Sequence, residues 1–143
     1  MAKTDTLKEI VAKKRARLIL AKEQLSEEDL KLKLAGLPPT RPFKEAISRP
    51  RQISLIAEIK QVSPSAGIIR QNFNLEEIAR AYEDAGAQAV SVLTEEDFFN
   101  ANPAYLNAVK KTITVPLLRK DFILESYQVY ESRYLGADAI LLI

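Results

Sequence analysis

The hydrophobic positions follow two different periods along the chain, and the period changes near residue 53. Before that point, apolar residues recur at helical spacing, which predicts helices starting at Thr6 and Ser26 and a short helix over residues 43–47. After it, short apolar runs alternate with stretches of helical period, which predicts strands separated by helices. We therefore expect a helical extension over residues 1–52, followed by a strand–helix region over residues 53–143.

Four strands and three helices are predicted in the second region. The strands cover Ser54–Lys60, Ala89–Thr94, Pro116–Lys120 and Asp138–Ile143, and the helices run from Asn74 to Ala85, from Asn102 to Lys111 and from Tyr127 to Leu135. Short apolar strands that alternate with helices are typical of parallel βαβ units. The pattern fits an α/β protein that is either a doubly wound open sheet or the first four strands of a (β/α)8 barrel.

Charged residues late in the predicted strands favour the barrel. Because side chains alternate along a strand, Glu58 and Lys60 share one face with Ile56, and Lys120 shares a face with Leu118. A charge in a buried strand is costly unless it is paired or functional. Barrel enzymes carry their catalytic groups at the carboxyl ends of the strands, where these residues lie. No glycine-rich phosphate loop follows any predicted strand, which argues against a nucleotide-binding open sheet.

The composition narrows the chemistry. The chain contains neither His nor Cys, so Ser-His-Asp and Cys-His catalysis, disulfides and zinc–sulfur sites are excluded. Its 21 basic and 19 acidic residues give a net charge of +2, and the basic excess of residues 1–52 is interleaved with acidic residues. A solvated helical face explains that excess better than a nucleic-acid-binding arm. With no long apolar run and no signal-peptide pattern, we expect a cytoplasmic protein that binds neither nucleic acid nor a membrane.

Five groups of residues in the second region carry a specific resemblance to a known family. They are Ala57–Lys60 with Ser63–Ser65 and Gly67–Arg70, Val90–Thr94 with Phe98–Phe99, Pro116–Ile123, Tyr127–Gln128 and Gly136–Ile143. In combination they resemble the indole-3-glycerol phosphate synthases, over essentially the whole chain including the helical extension. The resemblance implies a (β/α)8-barrel lyase of tryptophan biosynthesis that uses no metal and no organic cofactor. Its small phosphorylated substrate, 1-(2-carboxyphenylamino)-1-deoxyribulose 5-phosphate, becomes indole-3-glycerol phosphate with loss of carbon dioxide and water.

The resemblance also implies roles for individual residues. Lys120 matches the principal general acid of the family, and an ammonium group can protonate the substrate carbonyl. Lys60 would hold the substrate carboxylate or assist a later proton transfer, and Glu58 would orient both lysines or act as a base in the dehydration. The alternatives are purely structural: an ion pair of Lys120 with Asp121 or Glu58, and a charge-balancing Glu58. The residues expected to bind substrate are Ser63, Ser65, Phe98, Phe122 and Leu142.

These binding residues also have alternative interpretations. The serines are expected on the phosphate side of the substrate, but turn formation around Pro64 explains them equally well. The aromatic residues and Leu142 are expected to form a wall around the substrate ring, although aromatic residues near strand ends are as often part of a core.

The resemblance ends at the fourth predicted strand, so the chain is expected to carry only the amino-terminal half of the barrel. The later catalytic residues and phosphate-binding loops of the family then fall outside it. Four strands leave two unpaired edges and an open inner face, so we expect a dimer or pairing with a complementary carboxy-terminal half. A first alternative is a catalytically silent assembly unit. A second is a barrel of the phosphoribosylanthranilate isomerase type, but the runs Glu58–Lys60 and Leu118–Phe122 argue against this second alternative.

Overall fold

The structure is a computed structural model that describes residues 6–69 and 71–143. Its helices are α1 (Thr6–Gln24), α2 (Glu27–Leu34), α3 (Phe43–Ile47), α4 (Leu75–Asp84), α5 (Tyr105–Thr112) and α6 (Ser126–Tyr134). Its strands are β1 (Ile56–Ile59), β2 (Val62–Ser63), β3 (Gly67–Ile68), β4 (Ala89–Leu93), β5 (Leu117–Lys120) and β6 (Ala139–Ile140). Within the described residues, no helix is both long and apolar enough to cross a membrane.

Four of the strands form one parallel sheet in sequence order, β1-β4-β5-β6. The helices α4, α5 and α6 connect successive strands, so the predicted βαβ pattern is confirmed. The sheet is open rather than closed into a barrel, and β1 and β6 are its edges. The last strand is shorter than predicted, because β6 pairs over only two residues and Leu142 and Ile143 remain 70% and 88% exposed.

Two helix starts lie where the sequence predicts them. The Ser26 and Asn74 side chains each accept a hydrogen bond from the backbone N–H three residues later, at Asp29 and Glu77. Such caps satisfy one of the amide groups that the first helical turn leaves free.

The loop after β1 contains an unpredicted element. β2 and β3 pair as a short antiparallel hairpin, and Gly67 adopts a left-handed φ of 66° at its turn. Two-residue strands are too short to produce a hydrophobic period, so only the loop itself could be predicted from the sequence.

The main core lies on the helix side of the sheet. Alternate strand residues point toward α4 and α5, among them Ile59, Val90, Val92 and Leu117, each no more than 2% exposed. They pack against the apolar faces of the two helices, which contribute Leu75, Ile78, Ala79, Leu106 and Val109. The other set of strand residues, including Glu58 and Lys120, therefore faces the opposite side of the sheet.

The amino-terminal helices pack on the outside of α6. Leu18 of α1, Leu30 of α2 and Tyr127 of α6 form a second buried cluster. The Tyr127 hydroxyl donates to the carbonyl oxygens of Ala21 and Leu25, at 3.3 and 3.1 Å. The buried phenol thus finds hydrogen-bond partners at the end of α1, which fixes that end against α6.

A buried carboxylate joins the segment before α3 to the amino-terminal end of the sheet. The Asp138 side chain is fully buried and accepts hydrogen bonds from the Arg41 backbone N–H (2.7 Å), the Lys110 ammonium (2.6 Å) and the Leu117 backbone N–H (3.0 Å). The Arg41 guanidinium in turn donates to the carbonyl oxygens of Val115 and Lys110. This cluster lies at the opposite ends of the strands from Lys120.

Replacing Asp138 by alanine should lower the free energy of unfolding by about 3 kcal/mol, because the change removes the anion and leaves its donors without their partner. Urea denaturation of the variant measures the loss. The exposed Asp84, at the end of α4, provides the matched control Asp84→Ala, which should change stability by less than about 0.5 kcal/mol. Equal losses in the two variants would contradict the role assigned to Asp138.

Candidate active site at the carboxyl ends of the strands

Glu58, Lys60 and Lys120 meet on the inner face of the sheet. One carboxylate oxygen of Glu58 lies 3.3 Å from the Lys60 ammonium, and the other lies 3.7 Å from the Lys120 ammonium. The strand alternation predicts this arrangement, and the structure confirms that the three head groups lie together. Lys120 pairs with Glu58 on this face, and Asp121 has other partners.

The sheet register explains how residues of β1 and β5 reach each other across β4. Ser91 of β4 lies between Glu58 and Leu118 in the register, and Leu93 lies opposite Lys120. Two strand spacings, about 10 Å, separate β1 from β5, a distance that two long side chains can bridge. The small side chain of Ser91 leaves room for that contact. The Tyr82 hydroxyl of α4 donates to the Glu58 carbonyl oxygen at 3.2 Å, which holds the end of β1.

The ion pairs of this site are accessible to solvent. The side chains of Glu58, Lys60 and Lys120 are 31%, 33% and 38% exposed. Exposed ion pairs contribute little to stability, typically about 0–1 kcal/mol. The three charges are therefore free to exchange their partners for the groups of a bound ligand.

A small apolar cavity of about 40 Å³ adjoins Lys120. Its lining includes Phe122, as the sequence predicts for a substrate wall, together with Phe99, Leu141 and Ile143. A larger cavity of about 650 Å³, lined in part by Arg41 and Arg49, lies at the opposite ends of the strands. Because Lys120 lines the smaller cavity, we assign that cavity to the candidate active site.

Two of the residues predicted to form the wall do not line this cavity, whereas a sequence neighbour of each one does. Phe98 is half-buried, and its ring centroid lies 5.2 Å from the Lys13 ammonium of α1. Phe99, which the sequence analysis did not select, lines the cavity instead. Similarly, Leu142 is 70% exposed, whereas Leu141 lines the cavity. Adjacent residues in a loop have no period, so the sequence could not decide which of each pair turns inward.

The two predicted serines lie in the hairpin that follows β1. The Ser63 hydroxyl lies 3.1 Å from the Ser65 hydroxyl and accepts the Ala66 backbone N–H at 3.1 Å. Ser63 is buried and Ser65 is exposed. These contacts stabilise the turn and leave the exposed hydroxyl of Ser65 able to contact a ligand.

Behind Lys120, on the helix side of the sheet, lies a buried ionic network that the sequence analysis missed. Its centre is the fully buried Asp121 carboxylate, which pairs with Lys14 at 2.8 Å and with Arg119 at 2.9 Å and accepts the Thr94 hydroxyl at 2.7 Å. The Arg119 guanidinium also donates to Glu131 of α6 at 2.7 Å. Strand alternation places Arg119 and Asp121 on one face and Lys120 on the other.

This network sets the ionisation of Asp121. Burial alone would raise the pKa of the carboxyl, but the charges of Arg119 and Lys14 and the hydrogen bonds from Lys14 and Thr94 outweigh it. The pKa of Asp121 is therefore held below its ordinary value of 3.8.

A second buried carboxylate shapes the loop that carries Phe98 and Phe99. Glu95 is completely buried and accepts the backbone N–H groups of Asp97, Phe98 and Phe99 at 3.2, 2.8 and 3.3 Å. Arg17 of α1 holds the same loop from outside, with two hydrogen bonds to the Asp97 carboxylate at 2.6 and 3.0 Å. Bidentate pairs of this kind fix orientation as well as distance.

Asp121 should make stability depend on pH in acid. Its pKa is lower in the folded chain than in the unfolded one, so the unfolded chain binds more protons, and stability is lost as pH falls below about 4. The variant Asp121→Asn lacks this pH-dependent contribution at every pH, because its amide does not titrate. It should therefore be less stable than the wild type at neutral pH, and the difference should narrow between about pH 6 and pH 3 in urea denaturation. A difference that stays constant over this range would contradict the prediction.

Known proteins have sequences similar to that of this chain. A sequence model of the indole-3-glycerol phosphate synthase family matches residues 7–143. The indole-3-glycerol phosphate synthase of Neisseria meningitidis serogroup B is 45% identical over 143 residues, which cover 98% of this chain and 55% of that protein. The corresponding protein of Geobacillus kaustophilus is 55% identical over 128 residues, covering 87% of this chain and 49% of that protein. The chain thus spans about half the length of these relatives, and it belongs to the indole-3-glycerol phosphate synthase family.

Proposed function

We propose that this chain contributes the amino-terminal half of an indole-3-glycerol phosphate synthase active site. The proposed reaction converts 1-(2-carboxyphenylamino)-1-deoxyribulose 5-phosphate to indole-3-glycerol phosphate, with loss of carbon dioxide and water. The observation that carries the proposal is the position of Glu58 between two ammonium groups, 3.3 Å from Lys60 and 3.7 Å from Lys120, beside an apolar cavity. In this proposal residues 1–52 form the helical extension and residues 53–143 the first half of the barrel.

Lys120 is the proposed general acid. Ring closure joins a carbon of the aromatic ring to the carbonyl carbon of the substrate, so negative charge develops on the carbonyl oxygen. The Lys120 ammonium protonates that oxygen, a contribution that is typically worth about a hundredfold or more in rate. The Glu58 carboxylate, 3.7 Å away, orients the ammonium.

Lys60 and Glu58 take the two remaining roles. The Lys60 ammonium binds the carboxylate of the substrate until carbon dioxide leaves, and its flexible stem allows it to follow that group. In the dehydration that completes the indole ring, the Lys60 ammonium protonates the hydroxyl group formed at ring closure, which leaves as water, and Glu58 removes a proton from the neighbouring carbon. Because the Glu58–Lys60 pair is partly exposed, a substrate carboxylate can replace Glu58 as the partner of Lys60 at little cost.

The apolar and hydroxyl groups around the three charges would hold the rest of the substrate. Phe122 and Phe99 contact the aromatic ring from the cavity that Lys120 lines. Phe98 and Leu142 extend this wall outward. Ser63 and Ser65 bind on the phosphate side. Offset contact between aromatic rings contributes about 0.5–1.5 kcal/mol beyond the burial of their area.

The decisive experiment is a turnover assay on the chain completed by the carboxy-terminal part of the Neisseria meningitidis relative. Appearance of the indole product should be clear in the completed barrel and weak or absent with the 143 residues alone, because positioning groups are then missing. In the completed barrel, Lys120→Ala should lower kcat by about a hundredfold or more. The exposed Lys111 provides the matched control Lys111→Ala, which should leave kcat unchanged.

Two results of this assay would contradict the proposal. A completed barrel that folds, as judged by circular dichroism and a cooperative unfolding transition, and yet shows no turnover would remove the proposed reaction. A Lys120→Ala variant that keeps most of its kcat would remove Lys120 from the mechanism.

We further propose that this chain associates with a second polypeptide through the open face and the edges of its sheet. Among residues 6–69 and 71–143, no strand pairs with the outer sides of the edge strands β1 and β6, and Ile56 on the inner face is 40% exposed. Covering such apolar surface stabilises by about 25 cal/mol per Å². The partner is a complementary carboxy-terminal half-barrel or, in its absence, a second copy of this chain.

Sedimentation velocity on the 143-residue chain measures this association. We expect a dimer that dissociates when the complementary half of the Neisseria meningitidis relative is added, because both partners compete for the same edges. A monomer with a well-ordered sheet at all concentrations would contradict the self-association.

A further inference from the structure

We propose that Lys14 of α1 is a positioning residue for catalysis, which fixes the end of β5 through the Asp121 carboxylate. The ion pair between Lys14 and Asp121 holds Lys120 and Phe122 in the orientation in which both line the cavity. The inference rests on the proposed function of Lys120.

Lys14 lies in a position where helix packing alone would favour an apolar residue. It belongs to the buried face of α1 together with Ile10 and Leu18. Its side chain is only 4% exposed, and its ammonium lies 2.8 Å from a carboxylate that is itself fully buried. Placing an ammonium group there costs hydration free energy, which only close pairing with an anion offsets.

The oxygen that Lys14 contacts also holds the backbone directly after Lys120. Oδ1 of Asp121 pairs with the Lys14 ammonium and accepts the Phe122 backbone N–H at 2.8 Å. Oδ2 of the same carboxylate is occupied by Arg119 and Thr94. Lys14 therefore acts on the half of the carboxylate that orients residues 121 and 122, and Arg119 and Thr94 act on the other half.

Lys14 is not the only group that compensates the buried charge of Asp121. Well-packed apolar side chains in place of buried ion pairs are often neutral or stabilising. Arg119 already pairs with Asp121, and α1 has further contacts with the rest of the chain through Arg17 and Leu18. The added effect of Lys14 is directional: it fixes the rotation of a carboxylate next to the proposed acid.

The substitution Lys14→Met tests this role, because methionine is also unbranched and suits a buried helix face. In the completed barrel, kcat should fall about tenfold or more with a much smaller change in KM, since misplacement by about 1 Å can cost a hundredfold. Lys14→Arg, which restores a cation, should recover much of the loss. The matched control is Lys22→Met on the same helix, where an exposed lysine pairs with the exposed Glu125, and it should leave kcat unchanged.

A second measurement does not depend on turnover. In NMR spectra of the 143-residue chain, Lys14→Met should shift the Phe122 amide and the Lys120 side-chain signals, and Lys22→Met should leave both in place. If the completed wild-type barrel shows no turnover, the proposed function fails, and these signals alone decide the positioning role. Unchanged signals, or a kcat equal to that of Lys22→Met, would overturn the role. A fall in kcat that arginine does not reverse and that parallels a loss of stability would overturn it too.

Discussion

The burial of the Asp121 carboxylate is the constraint on which the rest of this structure depends. A carboxylate with no exposure to water must be neutralised and fully hydrogen-bonded, or folding would protonate or exclude it. Its partners come from three elements: Arg119 from its own strand, Thr94 from the end of β4 and Lys14 from α1. Satisfying one anion therefore brings two strand ends and the amino-terminal helix into fixed positions.

Because side chains alternate along a strand, neighbouring residues at the end of β5 have different functions. Arg119 and Asp121 point toward the helices and form the rigid network, and Lys120, between them, points to the inner face. Arg119 and Asp121 thus stabilise the backbone on one face, and Lys120 remains accessible on the other. The loop after β4 follows the same logic with different chemistry, because the buried Glu95 carboxylate binds the backbone that presents Phe99 to the cavity.

Sequence reasoning predicted what depends on local pattern. The strand order follows from the alternation of strands and helices, the caps at Ser26 and Asn74 from short-range hydrogen bonding, and the contact of Glu58 with Lys120 from strand alternation. The pairing of Lys14 with Asp121 had no local signal, since the partners are far apart in sequence and a lysine on a helix is normally a solvated residue. The position of Phe99 at the cavity depends on hydrogen bonds from backbone N–H groups to the Glu95 carboxylate, and a loop sequence without a hydrophobic period does not indicate such bonds.

The contrast between the two sides of β5 explains how such a site could bind and react without losing its geometry. The ion pairs of the inner face are partly exposed, so the Glu58 carboxylate can release either lysine to a negatively charged group of a ligand at small cost. The Arg119–Asp121 pair behind the strand is buried, so its charges interact strongly. Preorganised catalysis requires ion-pair partners that can be exchanged for groups of a ligand, on a backbone that stays fixed. The donors then keep their positions while their partners change. The groups that fix the backbone, Asp121 with Lys14, Arg119 and Thr94, all lie within this chain.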